Sequence, residues 1–263
     1  MTAKAVAEKE NTDIMLLDDS MFEQDAGGGL EGISSDDLAL PFLKVLSRQD
    51  PILDELDDAK AGDIYNTVTG KVYKGKEGIR VIPCAYQKRF IEWAPRGTGN
   101  GAPINIYNTS SDCPKTERSQ EDNKEYVIGG NGSYIEATAQ HYVIVLDDQD
   151  GPTTALIAMK STQLKKSRKW NSMVMSRSFV GKNGPYTPAS YSHIYKLSTL
   201  SEENSKGSWH GWEIALDEKM SDAGLYQLAK DFAQSVDRGE VQAKHTDDSG
   251  ETVAGGVVED APF

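Results

Sequence analysis

Residues 134–147, YIEATAQHYVIVLD, and 153–160, TTALIAMK, constrain the fold more than any other part of the chain. Both runs are rich in the β-branched and aromatic residues that pack well on a pleated surface. Only Asp148 to Pro152 separate them, so the two runs read as paired strands around a short acidic turn. A sheet is therefore the first commitment.

The flanking segments extend it. IYNTVTGKVYKG reads as a hairpin around Thr69-Gly70, and GIRVIPCAYQKRFIEWAPR as one long strand in which Pro83 demands a bulge or an edge position. Two more strands read out at YSHIYKLSTL (191–200) and SWHGWEIALD (208–217), with the polar turn SEENSKG between them. Ser161 or Thr162 is placed to cap a helix through TQLKKSRKWNSMVMSR, which Gly181 and Gly184-Pro185 end. A final amphipathic helix from Ser221 sets Leu225, Leu228, Phe232 and Val236 on one face. Upstream, Ser35-Asp36-Asp37 reads as the cap of a short helix carrying Leu38, Leu40, Phe42, Leu43, Val45 and Leu46, stopped by Pro51 and docked on the core. Residues 97–132 read as a long polar loop with one short strand at 104–107.

Long antiparallel strands, one inserted helix, then two more strands is the order of a five-stranded OB-type barrel, here spanning about residues 64–217; other helix-bearing β-barrels share it. The expected class is mainly β with helices (α+β): an OB-like antiparallel barrel with an inserted helix and a C-terminal helix. The expected organisation is a disordered acidic arm at 1–36, an OB-like nucleic-acid-binding domain at 37–240 and a disordered acidic tail at 241–263.

The net charge of -13 at first argues against a nucleic-acid partner, because phosphates are held by Lys and Arg. Its distribution reverses that reading. Residues 1–63 hold 16 acids against 5 bases and residues 245–263 hold 5 acids and no Lys or Arg, while residues 64–244 hold 20 acids against 23 bases. The folded middle is mildly basic between acidic arms.

No run approaches the ~18 apolar residues of a membrane span, and MTAKAVAEKE lacks the apolar core of a secretory signal, so a protein without membrane partner is expected. Cys84 and Cys113 are too few for a disulfide framework, and the four histidines lack metal-ligand spacing. Phosphate-loop, nucleophile-elbow and zinc-protease motifs are missing, so neither an enzyme nor a cofactor is expected. Gly97-Thr98-Gly99-Asn100-Gly101 reads as a loop, since no strand-to-helix setting surrounds it. Asp147, Asp148 and Asp150 read as a tight turn in preference to a cation site. His141, in register with Val143 and Val145, reads as a buried structural histidine.

Sequence-independent binding of a single strand needs cations along the phosphates and flat side chains under the bases. Two segments combine them. In the first, alternation puts Tyr86, Lys88 and Phe90 on one strand face and Arg89, Ile91 and Trp93 on the other, with Arg96 just beyond. Which face is core stays open. The second runs from Lys160 through Lys165, Lys166, Arg168, Lys169 and Trp170 to Arg177, with no acid in between to supply the usual i,i+4 ion pairs. Tyr191, Tyr195 and Lys196 on the next strand extend the candidate surface.

The last residues, GGVVEDAPF, form an acidic end finishing in Pro-Phe that resembles the partner-binding tail of bacterial single-stranded DNA-binding proteins. The resemblance implies that Glu259, Asp260, Pro262 and Phe263 contact replication or recombination proteins. More broadly, LPFLKVLSRQDPILDELDDAKAGDIYNTVTGKVYKGKEGIRVIPCAYQKRFIEWAPRG and ALIAMKSTQLKKSRKWNSM are similar to a family of tailed-bacteriophage single-stranded DNA-binding proteins. That similarity implies a role in phage DNA replication or recombination in the host cytoplasm. The alternative is a phage regulatory protein that binds a polymerase or recombinase without touching DNA. Self-association is left open.

Overall fold

The computed structural model describes residues 19–34, 37–95, 97–98, 101–204, 207–241 and 243. The chain divides into two units, residues 1–38 and 39–263. In the first, Asp19–Gln24 forms helix α1 inside the arm expected to be disordered, followed by turns through residue 29. The second unit holds everything below.

Its elements in chain order are β1 (Leu43–Val45), α2 (Ile52–Glu55), β2 (Ile64–Asn66), β3 (Val72–Tyr73), β4 (Ile79–Trp93), β5 (Asn105–Tyr107), β6 (Thr116–Arg118), β7 (Glu125–Val127), β8 (Tyr134–Asp147), β9 (Gly151–Lys160), α3 (Leu164–Met175), β10 (Phe179–Gly181), β11 (Gly184–Tyr186), β12 (His193–Asn204), β13 (Gly207–Lys219) and α4 (Ala223–Asp237). The long β4–β8 antiparallel pair is the spine. At one end β12 pairs the start of β4, β13 pairs β12, and β9 pairs β8; at the other end β5 pairs β4, while β7 and β6 continue from β8. The register of β4 shifts between Pro83 and Ala85, which is the bulge that a proline without an N–H requires inside a central strand.

The protein is mainly β with a few helices and antiparallel sheets, as expected. The barrel is not closed among the described residues, because no ladder carries β13 back to β9. The seam is filled by residues expected to be helical. Pro41 cannot donate within a helix and drives Leu40 toward extended backbone. The chain therefore enters as a strand: Phe42 makes a parallel bridge to Leu156, the Leu156 N–H donates to the Pro41 carbonyl at 2.8 Å, and β1 lies against both β9 and β13. Docking on the core holds all the same, through buried Leu43 and Leu46.

The spine is covered on both faces, which explains the nearly continuous apolar run of β8. On one face Val81, Val143, Val145, Ile157, Tyr195, Leu197, Trp212 and Ile214 pack beneath Trp170 of α3. On the other, Ile82, Tyr142, Ile144, Leu156 and Ile194 pack beneath α4. The buried stripe of α4 is Ala229, Phe232, Ala233 and Val236, and Asp222 caps the helix by accepting from the Leu225 N–H. Leu228, expected on that stripe, is 40% exposed and lies off it.

Two local expectations fail at α3. Residues 161–163 form a 3-10 turn with Ser161 at φ 48°, and no side chain caps the helix. Gln163 instead accepts the backbone N–H of Trp212 at 3.0 Å, which ties the start of α3 to β13. The glycines expected only to end the helix form the hairpin β10–β11. Within the expected 97–132 loop, the strand near 104–107 is present, and two further strands, β6 and β7, form as well. A left-handed glycine is required at Gly78, where a Cβ would run into the Leu197 carbonyl.

Candidate nucleic-acid interface

The alternation of β4 decides which face is open. Ile91 and Trp93 are buried with Tyr134 in a small cluster of their own, so Trp93 offers no ring to a base, while Arg89 on the same face is half-buried. On the opposite face Tyr86 is 43% exposed, Lys88 is exposed and Phe90 is half-buried. The Lys88 ammonium lies over the Phe90 ring, 5.1 Å from its centroid. This presents a flat surface and a cation as one unit.

Tyr86 also connects this face to α3. Its ring lies 5.0 Å from His141, whose imidazole stacks on Trp170 at 4.5 Å, and Trp170 meets Tyr195 at 5.9 Å. Four rings thus lead from the surface into the core. His141 is the buried structural histidine expected, bonded to the Ser167 hydroxyl at 2.8 Å. Burial holds its pKa down to about 3, so the ring is neutral.

Trp170 and Tyr195 were expected to stack bases, and the structure overturns both. Trp170 is 0% exposed and Tyr195 1%, each inside the core beneath α3. Tyr191 is likewise drawn away, with its ring 5.1 Å from Tyr226 of α4 on the other side of the sheet. Lys196 is exposed, across from Arg80, which is itself paired with Asp217 and Glu218.

The cations of α3 sort into two groups. Lys166 pairs with Glu202 at 2.7 Å and Glu213 at 3.8 Å, and Lys169 pairs with Glu213 at 3.5 Å. The acids missing within the run come from β12 and β13, so these two lysines are neutralised across elements. Lys166 depresses the Glu202 carboxyl pKa through a hydrogen bond and its charge. Lys160 pairs with Glu136 at 3.4 Å, and the Arg177 guanidinium bonds the Met173 carbonyl at 3.1 Å while interacting with the Tyr195 hydroxyl. Lys165 and Arg168 remain exposed on the helix without a carboxylate within ion-pair distance among the described residues. Arg96, Glu259, Asp260, Pro262 and Phe263 lie outside the described residues.

Elsewhere, the Asp147–Asp150 turn is held by a protein cation: Lys71 reaches Asp147 at 2.6 Å and Asp150 at 2.7 Å. The Asp147 pKa is pulled down to about 2, first by that hydrogen bond. Sequence reasoning missed Lys71, Glu202 and Glu213 because each acts on a residue tens of positions away.

The fold and this surface define a mainly β, α+β protein with one open aromatic-and-cation strand face beside a basic helix. A family model described as Pam3 phage gp34-like protein matches residues 9–242, and the chain belongs to that phage family. The match ends at residue 242, before Glu259, Asp260, Pro262 and Phe263. No curated protein and no solved structure matches the chain. No described helix is long and apolar enough to cross a membrane.

Proposed function

We propose that the protein is a non-enzymatic single-stranded DNA-binding protein acting in phage DNA replication or recombination in the host cytoplasm. One observation carries the reading: the open face of β4 places Tyr86, Lys88 and Phe90 together, joined to α3 through His141 and Trp170. Bases stack on Tyr86 and Phe90, and phosphates run along Lys88 toward Lys165 and Arg168. In this reading the sheet serves as the strand face of an OB-type module without needing the closed barrel. Glu259, Asp260, Pro262 and Phe263 recruit replication or recombination proteins.

The test is fluorescence anisotropy of a labelled oligonucleotide against salt. The expected result is binding whose logarithm falls linearly with the logarithm of salt, with a shallower slope in Lys165→Ala/Arg168→Ala, by roughly one unit per lost phosphate contact. Absence of binding at low salt overturns the reading.

A second reading, an interaction protein that binds a polymerase or recombinase without DNA contact, is favoured by two features. Glu202 and Glu213 neutralise Lys166 and Lys169, and hairpin β10–β11 exposes Tyr186 and leaves Val180 87% accessible. Exposed apolar side chains on a hairpin suit a protein surface better than a phosphate chain.

A further inference from the structure

The α4 face of the sheet holds a cleft of about 290 Å³ between the sheet, β5, the end of α4 and the residues Gly239, Val241 and Ala243 that follow it. Its polar side is formed by Gln87, Arg89, Gln140 and Tyr142, and Ile106 and Val236 supply aliphatic surface. Three observations say what it is built to hold.

The first is an uncompensated cation. The Arg89 guanidinium is half-buried and donates only to neutral oxygens, Gln87 Oε1 at 2.7 Å and the Lys88 carbonyl at 3.4 Å, with no carboxylate partner among the described residues. A partly desolvated cation without a counter-ion is a site for an anion. The second is the orientation of the amides. Gln87 Oε1 accepts from both Arg89 and the Tyr142 hydroxyl, the latter at 3.3 Å, so the Gln87 NH2 is the end with bonds to give. The floor beneath it is fixed: Gln140 and Tyr142 are both buried, with the Tyr142 hydroxyl also 3.3 Å from Gln140 Oε1. The third is shape, since a cleft of this size is at the low end for ligand sites, roughly 300–1,000 Å³, and takes one ring and not a polymer.

We infer that this cleft binds a single nucleotide. The ring lies against Ile106 and Val236, its polar edge meets the Gln87 amide, and its phosphate sits on Arg89. The choice of ligand rests on the proposed nucleic-acid function, while the cleft lies on the opposite sheet face from Tyr86 and Lys88. The nucleotide comes either free or as the phosphorylated end of a strand.

The test uses the full chain and calorimetric titration with AMP and with adenosine. The expected result is that AMP binds more tightly than adenosine, that Arg89→Ala weakens AMP about tenfold or more (~1.4 kcal/mol), and that adenosine is indifferent to the change. Asn108 also lines the cleft, at its exposed rim, so Asn108→Ala should weaken both ligands modestly, and unchanged thermal unfolding confirms that each variant folds. An Arg89→Ala protein that folds and binds AMP like the parent overturns the site, as does AMP failing to bind the parent. Oligonucleotides separate the sources: a 5′-phosphorylated strand that outcompetes its 5′-hydroxyl counterpart for the cleft shows end recognition, and equal competition shows a free nucleotide. AMP bound without any oligonucleotide binding leaves the cleft standing and removes the strand-face reading. A circular strand bound normally, with no AMP binding, does the reverse.

Discussion

The imidazole of His141 lies 4.5 Å from the indole of Trp170 with the two planes 19° from parallel, and Ser167 of the same helix bonds its Nε2. Burial is the feature of this contact that favours the neutral ring. The folded-state pKa is about 3 against an ordinary 6.5, because burial penalises the cation. Below pH 6.5 the unfolded chain therefore binds a proton that the folded chain refuses. The resulting loss of stability begins near pH 6.5 and continues down to about pH 3. In His141→Phe, which keeps a ring on Trp170, urea unfolding should show a shallower decline between pH 6.5 and 4 than in the parent. Parallel pH profiles would show that His141 is not the buried group responsible.

The Lys71–Asp147 pair governs a lower window. Asp147, held down to about 2 by the hydrogen bond from Lys71, stabilises the folded state above its ordinary carboxylate range, and that contribution is lost as pH falls from about 4 through 2. Asp147→Asn should lower the unfolding midpoint at pH 7 and flatten the profile only below pH 4. Thermal melts at pH 7, 4 and 2.5 distinguish this from the His141 effect, which lies mostly higher.

Glu92 is a buried carboxylate with three neutral donors: Asn105 Nδ2 at 3.0 Å, the Tyr107 hydroxyl at 2.7 Å and the Ser133 hydroxyl at 2.8 Å. Burial pushes its pKa up, but the three bonds outweigh burial and hold it below its ordinary value. The bonds from Asn105 and Tyr107 fasten β5 to β4, and that from Ser133 ties in the residue before β8. A Gln side chain puts an NH2 where an acceptor is needed, so Glu92→Gln should cost about 1–3 kcal/mol and speed amide exchange at residues 105–107. Exchange there equal to the parent would show that β5 is held by its strand pairing alone.

The long strands were legible because burial on both faces writes itself into composition: VIVL in β8 and VIPC in β4 admit little but sheet. Pro83 called for a bulge or an edge position, and in this paired strand it is the bulge that forms. What failed to read out was set by partners far along the chain or by elements too short for periodicity. Leu38 to Leu46 matched a helical spacing, yet Pro41 and the unfilled edge of β9 made that segment extended. The acid-free run around Lys166 looked unpaired only because Glu202 and Glu213 follow more than thirty residues later. Trp170 looked like a stacking ring because a helix of twelve residues does not say which of its faces meets a histidine.

The ion pairs of α3 yield a prediction of opposite sign to the usual one. Replacing Glu213 with Gln removes the carboxylate that Lys166 and Lys169 share. If the helix follows a phosphate backbone, oligonucleotide affinity at low salt should rise and the salt slope should steepen by up to about one unit per released contact. A Glu213→Gln protein with unaltered slope would confine phosphate contact to Lys165, Arg168 and the β4 face.

Tyr86 and Trp170 stand at the two ends of the His141 stack, and their substitutions should part company. Tyr86 is 43% exposed, so Tyr86→Ala removes a platform and leaves the core in place: oligonucleotide binding should weaken by ~1–3 kcal/mol with unfolding little changed. Trp170 is fully buried beneath α3, and Trp170→Ala opens a cavity over His141 and Tyr195, at a cost of about 3–5 kcal/mol in stability. Anisotropy and urea unfolding on both variants decide the matter. Equal loss of stability in the two proteins would make Tyr86 a core residue and leave the proposed strand surface without its ring.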